Sequence, residues 1–90
     1  MNQGQIPPNA ELVKYVLEAI EHHGGTAKNQ EIRQYVINTL GLSDEVISEI
    51  HSGSRTKLEY QLAWARTIAK QKKLIQSSGR MNWKNYEELP

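Results

Sequence analysis

A mainly α (α+β) fold, four helices followed by a C-terminal β-hairpin, is the class this 90-residue sequence predicts, and three observations predict it. Apolar residues recur at spacings of three and four over separate stretches, glycines or polar breaks fall between those stretches, and two short strand-like runs flank a glycine-containing connection near the C-terminus. With 38% apolar composition and no Cys, the chain reads as one small soluble domain without disulfide or thiolate metal sites. A chain of this length buries only roughly 60–65% of the surface it exposes unfolded, which leaves little core for a deep catalytic cleft.

The elements follow in order. Met1 to Pro8 is polar and non-periodic, and is expected to be a flexible lead-in over residues 1–8. Asn9 is the expected N-cap of a first helix whose buried stripe is Leu12, Val13, Val16, Leu17 and Ile20, and Gly24-Gly25 ends it after His22-His23. Thr26-Ala27 is long enough only for an edge strand. Asn29 is the next N-cap candidate, with Ile32, Tyr35, Val36 and Leu40 on one face of a second helix that stops at Gly41. Ser43-Asp44-Glu45 opens a short helix containing Val46, Ile47 and Ile50, and His51-Ser52-Gly53-Ser54 breaks it. A longer helix is expected from about Arg55 to Lys72, with Leu58, Leu62, Ala65, Ile68 and Ala69 inward and Trp64 at the flank. Ala65 and Ala69 are small enough to let a neighbouring helix approach closely. Leu74-Ile75-Gln76 and Met81-Asn82-Trp83 then form a hairpin around Ser77-Ser78-Gly79-Arg80, with Arg80 at its tip. The folded domain is expected over residues 9–85 and a frayed acidic tail over 86–90.

The net charge of +1 conceals a segregation. Residues 1–54 carry Lys14, Lys28 and Arg33 against seven acids, whereas residues 55–84 carry eight Lys and Arg against Glu59 alone. A dense local positive field attracts polyanions whatever the global charge. Helix, short strand, helix, short helix, long basic helix and hairpin is the order of a winged helix-turn-helix, in which the long helix enters the DNA major groove and the hairpin is the wing. On that arrangement Arg55, Thr56, Lys57, Glu59, Tyr60 and Ala63 are the candidates for base-edge or groove contact. Arg66, Thr67 and Lys70 are candidates for phosphate, and Ser78, Arg80 and Lys84 for the wing contact.

Each has a plainer alternative. Tyr60 is a base-contacting or a partly buried aromatic. Glu59 is a solvated residue pairing with Arg55 or Lys73, or an acceptor for a cytosine amino group. Lys72 and Lys73 suit a helix C-terminus without any ligand. Trp64 and Trp83 are expected in the core, because a chain without Phe draws its bulk from them.

Ile32 through Trp83 resembles the N-terminal domain of Mrr-type restriction proteins, through Gly41-Leu42-Ser43-Asp44, Ser52-Gly53-Ser54-Arg55-Thr56-Lys57 and Leu62-Ala63-Trp64-Ala65-Arg66-Thr67. Lys73-Leu74-Ile75 and the later Trp83 fit the same pattern, and Leu12 to Gly25 fits its first helix. The resemblance implies a winged-helix DNA-binding module, the target-recognition part of a prokaryotic restriction endonuclease acting on foreign or modified DNA, with a nuclease domain in the parent chain. Its implied partner is double-stranded DNA, plain, methylated or hydroxymethylated.

The nuclease chemistry itself is not expected in these residues. None of the ten acids has Lys two positions later, so the acid-x-Lys element of metal-dependent nucleases of that kind is missing. His22 and His23 point about 100° apart on a helix and cannot easily share a metal, so they and His51 read as helix-end residues. No catalytic residue, metal or cofactor is expected. The chain has neither a signal-peptide pattern at Met1 to Pro8 nor an apolar run of membrane-spanning length, so the expectation is a cytoplasmic protein without a membrane partner. The rival function is a winged helix that docks a protein or dimerises without binding DNA. A homodimer is compatible with both.

Overall fold

Leu12, Val16, Ala19 and Ile20 recur at helical spacing and are fully buried, which commits the first segment to helix against the rest of the chain. The structure, a computed structural model, describes residues 5–86. Its elements are α1 (Asn9–His22), β1 (Thr26–Lys28), α2 (Asn29–Leu40), α3 (Asp44–Ser48), β2 (Ile50–Ser52), β3 (Arg55–Thr56), α4 (Lys57–Gln71), β4 (Ile75–Ser77) and β5 (Asn82–Asn85). Three strands form one antiparallel sheet in the order β1-β5-β4, so β1 is an edge and β5 the centre. Helices plus this C-terminal hairpin make an α+β, winged-helix-like fold with α4 leading directly into the wing.

The core is wholly apolar. Leu12, Val16, Ile20 from α1, Ala27 from β1, Ile32 and Val36 from α2, Leu58, Leu62, Ala65 and Ala69 from α4 and Ile75 from β4 are almost completely buried, and among the described residues no polar or charged side chain joins them. Specificity of any kind therefore lies at the periphery. α1 and α4 form the principal helix pair, and Ala65 and Ala69 on the inward face of α4 are fully buried and small enough to permit a close crossing.

The helix starts differ from the sequence expectation. Pro8, not Asn9, is the N-cap residue of α1, and its carbonyl accepts from the Glu11 and Leu12 amides. Proline suits this boundary because its ring fixes φ and it has no amide hydrogen to leave unpaired. The Asn9 side chain turns instead to Gln61 of α4, whose Nε2 also donates to the Pro7 carbonyl at 3.0 Å. Ile6 packs against the core, so residues 6–8 are tied to the domain, while residues 1–4 of the expected lead-in lie outside the described residues. Asn29 is likewise the first helical residue rather than the cap, and the Lys28 amide is satisfied by Glu31 Oε1 at 2.8 Å. Asn29 Oδ1 accepts from the Trp83 indole at 2.6 Å, which ties β5 to the start of α2.

Gly25 ends α1 by donating to the Ile20 carbonyl at 2.8 Å with φ +101°, and Gly41 ends α2 with φ +64°, a left-handed geometry in which a Cβ is strained. Ser43 caps α3 through Val46 N–H, as its sequence signature predicts. The expected break at 51–54 is instead a small hairpin. Ile50 pairs with Thr56 and Ser52 with Arg55, so Arg55 and Thr56 precede α4 as β3 instead of opening the helix. Leu74 and Met81 fall outside the strands. The Leu74 amide closes α4 on the Ala69 carbonyl, and Met81 adopts φ +55° in the wing turn, 65% exposed. Tyr86 donates its amide to the Leu74 carbonyl, and the remainder of the expected acidic tail lies outside the described residues.

Candidate nucleic-acid interface

Thr56-Lys57-Leu58-Glu59 has the spacing of a capping box, and α4 starts with one. The Thr56 hydroxyl oxygen accepts from the Glu59 amide, while Glu59 Oε1 accepts from the Thr56 amide at 3.2 Å and from the Thr56 hydroxyl at 3.1 Å. Donation from the Thr56 amide holds the Glu59 carboxyl below its ordinary pKa, with smaller help from the hydroxyl and from Arg33 and Arg55. Glu59 thus has a role that neither sequence alternative contained. It pairs closely with neither Arg55 nor Lys73, and Lys73 lies beyond the other end of the helix, roughly 20 Å along its axis. The Thr-x-x-Glu pattern was the signal for the role it does have.

The β2-β3 hairpin stands beside this helix start. Its His51 ring stacks on Tyr60 with centroids 3.9 Å apart and planes 20° from parallel, and the Arg55 guanidinium lies 5.6 Å from the Tyr60 centroid. Tyr60 is half-buried, and the stack orients it. His51 is therefore a strand residue against an aromatic ring and not a helix-end residue, whereas His22 closes α1 and His23 contacts the Ala19 carbonyl through Nδ1 at 2.9 Å. Among the described residues no three His, Asp or Glu side chains gather as a metal site requires.

On the other flank of α4 lies a cleft of about 740 Å³. Lys28, Asn29, Gln30 and Arg33 line it from the start of α2, Ser54 and Arg55 from the hairpin, Glu59, Leu62 and Arg66 from α4, and Met81 from the wing turn. Four cations face one carboxylate, and that carboxylate is already engaged by Thr56. Burial and the neighbouring positive charge of Arg55 push the Arg66 guanidinium below its ordinary pKa. Arg33 Nε is shielded from solvent and has no hydrogen-bond partner among the described residues.

The sequence-chosen residues consequently divide. Arg55, Glu59 and Arg66 meet in the cleft, and Lys70 is exposed one turn beyond Arg66. Lys57 faces away and forms a 2.9 Å ion pair with Glu49 at half-exposed positions. Thr56 is the cap. Thr67 bonds back to the Ala63 carbonyl at 3.0 Å, a contact internal to the helix. Arg80 is exposed in the wing turn, where Ser78 pairs with Asn82, but Lys84 sits on the central strand opposite Thr26 and Gln76, away from the tip. Lys28, Asn29, Gln30 and Arg33 were not anticipated. Only the spacing of Asn29 or Gln30 from Arg33 is readable as helical proximity; that Lys28 and the start of α2 stand opposite α4 is a tertiary fact.

Trp64 corrects a further expectation, being 47% exposed. It lies about 100° around α4 from Ala65, so the close α1 crossing at the alanines leaves its ring outside. Trp83 is half-buried and packs against the core. No helix among the described residues is long and apolar enough to cross a membrane.

No curated protein and no solved structure matches the chain. A family model, that of the Mrr N-terminal domain, matches residues 10–84, from the second residue of α1 to the third of β5 and through every element that lines the cleft. By that match the chain belongs to the Mrr N-terminal domain family.

Proposed function

We propose that this domain binds double-stranded DNA as the target-recognition module of a prokaryotic, cytoplasmic restriction protein, with residues 9–85 as the binding unit and the nuclease elsewhere in the parent protein. One observation carries it: the start of α2, the flank of α4 and the wing turn line a single cleft in which cations outnumber carboxylates four to one. Such a surface suits a phosphate backbone, whose negative charge recurs regularly along the duplex. Lys70 continues the basic line along α4 and Arg80 extends it onto the wing. Tyr60, oriented by His51, is the side chain best suited to touch a base.

Fluorescence anisotropy against plain, 5-methylcytosine and 5-hydroxymethylcytosine duplexes over a salt series tests the proposal. Binding should weaken steeply with salt on all three, and tighter binding to one modified duplex identifies the module as the reader of that modification. Lys70→Ala should weaken binding to every sequence alike and lower the salt slope by about 1. Absence of binding at low salt overturns the proposal.

One observation favours the rival protein-docking function. Trp64 is exposed on α4 about 140° from Glu59 and is absent from the cleft lining. An exposed aromatic is a common anchor of protein interfaces. A molar mass that doubles with concentration in wild type but not in Trp64→Ala, with no affinity for duplex, is the result that supports docking over DNA binding.

A further inference from the structure

Arg33 lines the cleft, and in this conformation its Nε–H is covered and meets no acceptor among the described residues, so the donor is satisfied only when the guanidinium turns toward an acceptor that enters the cleft. We propose that the cleft between α2 and α4 is an oxyanion site that clamps one phosphodiester of bound DNA between Arg33 on one helix and Arg66 on the other. This rests on the DNA-binding function proposed above and names its central phosphate contact.

Three further observations converge on the same place. Among the described residues the Arg66 guanidinium has no carboxylate within ion-pair distance, it is largely withdrawn from solvent, and Arg55 lines the same cleft, so its positive charge is uncompensated there. The lone acid of the cleft, Glu59, is held by the amide and hydroxyl of Thr56 and cannot swing to the arginines without dismantling the start of α4. The cleft also opens onto the first turn of α2, a 12-residue helix whose positive end adds to the field of Lys28. An arginine offers two parallel N–H donors that match two oxygens of a phosphate, and an oxyanion in the cleft gives the Arg33 fork an acceptor to turn toward while neutralising positive charge that Arg55 and Arg66 bring to the same walls. Lysines on an open helix face would attract the backbone. Arginines on two facing helices fix where one phosphate sits, and so set the depth of α4 in the groove.

The test uses the full chain, ¹⁵N-labelled, following the Arg33 and Arg66 side-chain Nε–H resonances while a short duplex is added, and in parallel while inorganic phosphate is added at constant ionic strength. Both resonances should shift saturably with duplex. Arg33→Ala should lower the salt slope of duplex binding by about 1, and Arg33→Lys should restore the slope without restoring the affinity, because a lysine supplies charge but no fork. Circular dichroism checks each variant for folding, and the wild-type resonances decide the matter if Arg33→Ala does not fold. Duplex binding with an unmoved Arg33 resonance overturns the clamp and leaves the DNA-binding proposal intact. Shifts with inorganic phosphate in a protein that ignores duplex overturn the phosphodiester assignment together with that proposal, and identify a site for a free phosphate ester. Silence toward both probes overturns the oxyanion site itself.

Discussion

Thr56 and Glu59 join stability to the interface, since the box they form starts the helix whose flank builds the cleft. Thr56→Ala removes the acceptor for the Glu59 amide and should cost about 1 kcal/mol in urea unfolding. Part of that stabilisation is pH-dependent. The folded-state pKa of Glu59 lies below its unfolded value, so its contribution is fully present above the unfolded pKa and is lost as pH falls through the folded one. Unfolding measured at neutral pH and again well below the ordinary carboxyl value of roughly 4 should therefore show a smaller Thr56→Ala penalty in acid. The penalty does not vanish there, because the Thr56 hydroxyl still accepts from the Glu59 amide. An equal penalty at both pH values rules out the bond from the Thr56 hydroxyl to the carboxylate as a contributor, since the amide bond to the same carboxylate survives in Thr56→Ala.

At the level of elements, helix α4 works as a beam pressed against α1 on one side and presenting charge on the other. Ala65 and Ala69 on its inward face have no exposed surface and are small enough to let α1 approach closely. Ala65→Leu forces extra methylenes into that contact and should destabilise the domain by about 1–3 kcal/mol, read as a lower urea midpoint with the slope unchanged. An unchanged midpoint would mean that α1 and α4 are free to separate. The α4 stripe was readable in advance because the spacing of Leu58, Leu62, Ala65 and Ala69 is local. The β2-β3 hairpin was not, for Ile50, His51 and Ser52 are all exposed and show no alternation of apolar and polar residues. That hairpin exists through pairing between Ile50 and Thr56 and the Lys57 amide on the Glu49 carbonyl, contacts that no periodicity announces. Trp64 misled for a related reason: its size argued for burial, but the alanines beside it decide how near α1 comes.

Considered whole, the folded molecule distributes its charges differently from the sequence, bringing together cations that lie far apart along the chain. The basic third was legible from Arg55 to Lys84, but the cleft also draws Lys28 and Arg33 from the acidic half, more than twenty residues away from the α4 side chains they face. One pairing moves in the opposite sense, since Lys57 is neutralised by Glu49. The polyanion surface is consequently a product of folding, and an unfolded chain has no comparable concentration of positive charge. Duplex should therefore bind the native state in strong preference to the unfolded one and raise its stability by mass action. At a free duplex concentration one hundred times the dissociation constant the gain is about 2.7 kcal/mol, which for a domain of this size corresponds to a Tm increase of roughly 10–20 °C. Calorimetry with and without duplex measures it directly, and raising the salt should erase the increase because the counterions released on binding then compete for the same phosphates. A Tm that duplex leaves unmoved at low salt would mean that the cations attract nucleic acid no better when folded into a cleft than when strung along a chain, and the cleft would then have no part in binding.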